Sequence, residues 1–348
     1  MSEFLGSRRE VRLRAGQALA SAAVAAETGS ARRRGRAFGV DLEADFAIDG
    51  LAAICAAGVP APTRLVSSAS ADLEAGRWRR GAGRLVERRF PDGRLALTVD
   101  HSDRKGYLLW YARAGRYLVS PDGRRVQCRL PAVGVGRWQR YLAAQVLPLV
   151  AALRGLAVIH ASAVCLEGRT VAFVASSGAG KTSLAARLVL AGASFVTDDV
   201  LALEPADGRV VAHPGPAFAT IDAEDRELLR KRGRTHVGTV IRRSDKVHVA
   251  MESAAKAAPL DSIYFLARTA RGRRAKIEPL SPPDPRLLLA SAFLPHLVAT
   301  ARLPSQLLAA AALSHSVTAY RVLVPDAVGA GDLAETVGEH ATATGGVS

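Results

Sequence analysis

Two rhythms of apolar and polar positions divide the chain. Between about residues 38 and 132, short runs rich in Val, Leu, Tyr and Trp alternate with turn signals. The runs are Arg94–Val99, Tyr107–Tyr111 and Tyr117–Val119, and the turns are Pro91-Asp92-Gly93, Ala114-Gly115 and Pro121-Asp122-Gly123. This pattern predicts antiparallel hairpins and a small β-rich lobe over 38–132. Over Gly134–Gly155 the rhythm becomes helical, with Trp138, Tyr141, Leu142, Val146, Leu149, Val150 and Leu153 on one face. A connecting helix is expected over 133–155, with Trp138 and Tyr141 as core or lobe contacts rather than a stacking platform for a nucleotide.

From Leu156 the elements alternate. Val158–Leu166 reads as a strand, Glu167-Gly168-Arg169 as a turn, and Thr170–Ala175 as a short, apolar strand suited to burial. Ser176–Gly180 is a glycine-rich loop. Lys181–Ala191 has helical spacing through Leu184, Leu188 and Leu190, with Gly192 placed to end it. Ser194–Val196 reads as the next strand, and Thr197-Asp198-Asp199 stands at its end. Pro259–Leu266 reads as a late strand with Ile263, Tyr264, Phe265 and Leu266 in the core; Leu287–Leu297 and Leu303–Leu313 read as closing helices. The expected organisation is an arm over 1–37, the β-rich lobe, the connecting helix, an α/β domain over 156–325 and a tail over 326–348. No repeat at a solenoid period is present.

Composition changes this picture little. The chain has 348 residues, enough for a buried core and two lobes, and 49% of them are hydrophobic. Its net charge of +15 suits anionic ligands. Arg8, Arg9, Arg12, Arg14, Arg32, Arg33, Arg34 and Arg36 crowd the first forty residues, which reads as a solvated, flexible basic arm. No interleaved aromatics, zinc spacing or helix-turn-helix pattern supports a nucleic-acid partner. Cys55, Cys128 and Cys165 match no metal spacing or disulfide framework, so a reducing cytoplasm is the expected location. No apolar run reaches the roughly 20 residues that span a bilayer, so no membrane role is expected.

The chemistry sits in Ala175-Ser176-Ser177-Gly178-Ala179-Gly180-Lys181-Thr182. A phosphate needs many donors and no steric obstruction. Small residues let backbone N–H groups converge on it, and the N-terminus of the following helix adds partial positive charge. Ser177, Gly178, Ala179, Gly180, Lys181, Thr182 and Ser183 are therefore the expected nucleotide-binding residues, with Lys181 reaching the β- and γ-phosphates and Thr182 ligating Mg²⁺. Ala175 replaces the first glycine of the pattern. That is tolerable if its φ is negative or if it still belongs to the strand.

Asp198 and Asp199 would project from their strand end towards this loop. Mg²⁺ prefers oxygen ligands, and phosphoryl transfer to a hydroxyl benefits from a base. The adjacent carboxylates can divide those tasks, and which takes which is open. His160 on the strand before the loop strand reads, by itself, as a core histidine. Arg242, Arg243 and Lys246 place cations in the same half, either to neutralise phosphate charge or as a solvated turn.

Taken together, Ile159-His160-Ala161-Ser162-Ala163, then Ser177–Thr182, then Phe195-Val196-Thr197-Asp198-Asp199-Val200 resemble the C-terminal catalytic domain of HPr kinase/phosphorylase. The specific feature is an Asp pair that follows the loop helix at once. The resemblance spans about 155–325 and is densest over 158–203. It implies an α/β P-loop kinase fold of the kind shared with ATP-dependent phosphoenolpyruvate carboxykinase. It also implies active-site roles for Asp198, Asp199, His160 and Lys181, with Thr182, Asp198 and Asp199 at the metal. The glycine-rich stretch with a glutamate of full HPr kinases has only a faint counterpart at Leu228–Gly233, so HPr is not the expected substrate. The chain looks more like divergent HPr-kinase-like proteins, some of which phosphorylate a serine of a natural-product precursor peptide. An ATP- and Mg²⁺-dependent kinase acting on a hydroxyl acceptor is the expectation, and a homo-oligomer is compatible with the family. A kinase for a small hydroxyl compound such as free serine, a P-loop NTPase or nucleotide switch without an acceptor, and a non-catalytic nucleotide-binding module are the alternatives. No Asn-Lys-x-Asp guanine motif is present, which favours ATP.

Overall fold

The computed structural model of the chain describes residues 32–48, 50–53, 61–67, 81–112, 114–131, 135–176, 178–231, 242–243, 246–251, 256–281, 285–293 and 307–344. The fold is mixed α/β and rich in sheet. Internal contacts divide it into two units: one draws on residues within 1–34, 42–48 and 55–141, the other on 35–41, 49–54 and 142–348.

The first unit is a sheet. Leu42–Ala44, the end of β2 (Val40–Ala44), pairs in parallel with β4 (Thr63–Ser67), and β4 pairs in parallel with β9 (Arg125–Arg129). An antiparallel meander then runs β9, β8 (Gly115–Val119), β7 (Gly106–Tyr111), β6 (Leu95–Ser102) and β5 (Gly83–Arg89). The runs read from the sequence as strands are the middle of this meander. Tyr117 is fully buried, and its hydroxyl donates to Ala114 O (2.9 Å) and Trp138 O (3.2 Å). Trp138, on helix α1 (Val135–Tyr141), meets Phe46 edge-on. Arg33–Ala37, expected to close a flexible arm, is strand β1. The cause lies in Glu43, buried on β2, whose carboxylate takes ion pairs from Arg32, Arg34 and Arg64. Burying a carboxylate requires such partners, and two of them come from the basic run.

The second unit begins with a π-helical turn, Leu142–Val146, and α2 (Leu147–Leu153). Pro148 lacks an N–H for the α-helical ladder, and a widened turn just before it accommodates that loss. Strands β10 (Ala157–Ile159), β11 (Ala161–Leu166), β12 (Arg169–Val174), β13 (Ser194–Thr197), β14 (Leu201–Ala206), β15 (Arg209–His213) and β19 (Ala258–Thr269) form a sheet in the order β10-β14-β15-β19-β12-β11-β13. β21 (Thr318–Pro325) also lies along β19, in parallel, and carries β20 (Lys276–Leu280). A small separate sheet joins β16 (Phe218–Asp222), β18 (Lys246–Ala250) and β17 (Arg242–Arg243).

Alternation along β12 assigns its two faces. Val171 and Phe173 join Tyr264 and Leu266 of β19 under α3 (Lys181–Leu190) and α7 (Ala330–Ala343). Ala172 and Val174 join Ile263 and Phe265 against Leu288 of α5 (Pro285–Ala290) and Ala309, Ala310 and Leu313 of helix α6 (307–316). Helix α4 (Ala223–Lys231) follows β16. The stretch expected as a tail over 326–348 contains a helix instead. Leu333, Ala334, Val337 and Ala341 recur at helical spacing and are buried, so α7 is part of the core. Two of those four positions are alanine, which carries little apolar signal and dilutes the stripe in the sequence. Of the expected closing helices, α5 and α6 are described, and the residues between them, 294–306, lie outside the described part.

Phe173 is fully buried at the centre of the α3/α7 face. Phe173→Ala is expected to destabilise this unit by about 3–5 kcal/mol through lost burial and a residual cavity. Urea unfolding monitored by circular dichroism reads the change; a loss below about 1 kcal/mol would contradict the packing described.

Candidate functional site

β12 and β13 are both antiparallel to β11, so their carboxyl ends lie at one edge of the sheet. β19 and β21 run parallel to β12 and end at the same edge. Ligands of open α/β sheets bind beyond the carboxyl ends of such strands. Here that edge gathers the glycine loop after β12, the Asp pair after β13 and His160 before β11.

Ala175 follows the last residue of β12, and its φ is not positive, which answers the question raised by the missing glycine. The left-handed positions fall on Gly178 (φ 83°) and Gly180 (φ 100°), where a side chain would be strained. Gly180 caps α3. The first turn of a helix leaves N–H groups without intrahelical acceptors, and this turn is Lys181-Thr182-Ser183. Lys181 is 5% exposed, and its Nζ donates to Ala175 O at 2.8 Å. The hydroxyl of Ser183 is engaged by Asp225 of α4, which also accepts from Arg187 Nε at 2.6 Å. Ser177 lies outside the described residues.

Asp198 is held by three donors. Its Oδ1 accepts from Ser162 Oγ at 2.7 Å and Thr182 Oγ1 at 2.8 Å, and its Oδ2 accepts from the Thr220 backbone N–H at 3.0 Å. Burial, followed by the charge of Asp199, pushes this carboxyl up to about 6 despite those bonds. The turn is tied locally: Thr197 Oγ1 donates to Val200 O at 2.6 Å and the Val200 N–H to Asp198 O at 2.8 Å. Asp199 adopts a left-handed φ of 63°, a conformation aspartate tolerates better than most residues.

The expected strand Val158–Leu166 is two strands broken at His160. β10 pairs with β14 whereas β11 pairs with β12 and β13, so the chain changes partners there. The His160 N–H leaves the ladder and donates to Ser291 O at 2.7 Å, and its half-buried ring stacks on Phe293 at 6.3 Å. Burial and then the charge of Lys181 lower the imidazole, against the charge and a main-chain hydrogen bond of Asp199. At neutral pH the ring is therefore neutral.

The structure thus brings together Lys181, Thr182, Asp198, Asp199 and His160. Arg242, Arg243 and Lys246 are placed on β17 and β18, and their side chains lie outside the described part. Cys165 is half-buried on β11 and His315 is exposed on α6; neither joins the site. Reading the sequence missed Ser162, Thr220 and Phe293. Ser162 stands two positions after His160, the spacing that puts two side chains on one face of an extended chain.

Magnesium takes oxygen ligands and keeps several waters, so one or two protein donors beside phosphates suffice. The Thr182 hydroxyl and the Asp198 carboxylate are such donors and fit the ion. Among the described residues no group of three or more His, Cys, Asp or Glu forms a cage for a metal.

No family model matches the chain, and no curated protein matches it in sequence. Among solved structures it is similar to that of the Hpr(Ser) kinase/phosphatase from Coxiella burnetii, at 11% identity over 54% of this chain and 89% of that one, with a TM-score of 0.30. A likeness that loose carries nothing about site or substrate. Among the described residues no helix is long and apolar enough to cross a membrane.

Because the folded Asp198 carboxyl titrates at about 6, above the unfolded value of about 3.9, the folded state holds a proton between these values that the unfolded chain has lost. Stability from this group is therefore present below about pH 4 and falls as the pH rises through 6. Asp198→Asn lacks the titration. The melting temperature of the wild type should drop relative to this variant between pH 4 and 6.5 and run parallel to it above. A constant difference across that window in a thermal-shift series would contradict the raised carboxyl.

Proposed function

We propose that the chain is a kinase that binds Mg·ATP at residues 175–183 and transfers the γ-phosphate to a hydroxyl acceptor, a serine of a peptide or protein. The observation that carries this reading is the bond between Thr182 and Asp198, with Asp199, His160 and Lys181 beside it. In this reading one end of the site takes phosphate and metal, and the other offers a carboxylate to an acceptor.

In this reading the backbone N–H groups of the glycine loop and of the first turn of α3 receive the phosphates. Lys181 exchanges Ala175 O for phosphate oxygens. Thr182 and Asp198 would hold the magnesium, which would offset negative charge on the phosphates. Asp198 has no freedom left to act as a base, since three donors fix both its oxygens. Asp199 takes that task. It accepts the acceptor's hydroxyl proton as the oxygen bonds to the γ-phosphorus, and the bond to the β,γ-bridging oxygen breaks with its electron pair leaving on ADP. Neutral His160, held between Asp199 and Phe293, positions Asp199 without adding charge.

The test is an assay with γ-labelled ATP, Mg²⁺ and a panel of acceptors comprising free serine, HPr and peptides encoded nearby. One acceptor should gain label, and Lys181→Ala should abolish transfer and weaken nucleotide binding. Asp199→Asn should cut turnover by about 10²–10⁴-fold while ATP affinity stays within a few-fold. Label released only as free phosphate, whatever the acceptor, would make the chain an NTPase and end the kinase reading.

A further inference from the structure

On the side of the glycine loop away from the carboxylates stands a cation that the proposed mechanism does not use. β12 has two neighbours, β11 on one side and β19 on the other. The Asp pair follows β13, beyond β11. On the opposite side, the register Val174↔Phe265 carries β19 past the end of β12, so Arg268 stands level with the loop. Its guanidinium lies against the loop: a Cβ placed on Gly180 would sit 3.4 Å from Arg268 Nη2. Arg268 is exposed, and it forms no ion pair or hydrogen bond with any described residue. Lys181, by contrast, is engaged by Ala175 O, and Arg187 by Asp225 and Glu224. The turn after β19 adds Arg271, Arg273 and Arg274, all exposed.

This arrangement has a direction. The terminal phosphate must face Thr182, Asp198 and Asp199, where the metal donors and the base are. The rest of the nucleotide then runs away from them, across Gly180 and towards β19. A guanidinium offers a planar fork of donors suited to phosphate oxygens.

We propose that Arg268 binds the α-phosphate of the nucleotide, so that the nucleoside lies on the β19 side of the loop and the terminal phosphate on the β13 side. This rests on the reading of residues 175–183 as the nucleotide site. Arg268 is then a nucleotide-binding residue that senses the nucleoside end, and it does not take part in proton transfer.

Titration calorimetry on the full chain, with Mg²⁺ and three probes, tests it: ATP, ADP and inorganic pyrophosphate. Arg268→Ala should weaken ATP and ADP alike, by about tenfold for one charge-assisted contact, and leave pyrophosphate unchanged. Arg268→Lys should recover part of the loss. Lys181→Ala should weaken all three. If Arg268→Ala leaves ATP and ADP unchanged while Lys181→Ala weakens them, the nucleotide site stands and the role of Arg268 is overturned. A loss for ATP alone would reverse the proposed direction, and an equal loss for pyrophosphate would place Arg268 on the phosphates beside Lys181; either overturns the proposal. If the wild type binds none of the probes, the site itself falls, and this inference with it.

Discussion

Asp198 ties three elements of this structure to one carboxylate. Its two oxygens take a hydroxyl from β11, a hydroxyl from the first turn of α3 and a backbone N–H from β16. Three elements far apart in sequence are thereby fixed around one carboxylate. The cost is electrostatic. Burial and a neighbouring carboxylate both oppose its ionisation, and the three hydrogen bonds recover only part of that. A cation placed against Thr182 and Asp198 would offset the remainder. In the proposed reading, the group whose burial is costly is the one that a metal-bound nucleotide would relieve.

Strand direction does the rest of the assembly. β11 is antiparallel to both β12 and β13, which brings the glycine loop and the Asp pair to the same edge. The chain must also change sheet partners between β10 and β11, and His160 occupies that break. Its N–H is satisfied by Ser291 outside the ladder, and its ring is left beside Asp199 instead of in the core. Among the described residues of the loop left-handed backbone falls on Gly178 and Gly180, and in the acid pair on Asp199. Each is a residue type for which that conformation costs little.

The proposed kinase uses this frame asymmetrically. Carboxylates crowd one flank of the loop and arginines the other. An anion chain laid across Gly180 would run from like to unlike charge, which gives a bound nucleotide a preferred direction before any base-specific contact is made.

Much was legible from local pattern. The glycine loop, α3 and β13 are short-range features, and the rhythm of apolar residues with Gly180, Lys181 and Thr182 marks them because backbone conformation and helix periodicity are local properties. The hairpins around Tyr107–Val119 were readable for the same reason. The break at His160 was not, since it depends on which distant strands β10 and β11 join. Nor was the place of α7 in the core, because two of its four buried positions are alanine, too weak an apolar signal to mark a buried face. Ser162, Thr220 and Arg268 acquire meaning only through partners 36, 22 and 88 positions away, at Asp198, Asp198 and Gly180. By itself the sequence determined the chemistry present: a glycine-rich loop, a cation, a hydroxyl and two carboxylates. Tertiary structure decided which of these face one another, because strand order and register are set by burial across the whole sheet and not by any neighbouring residue.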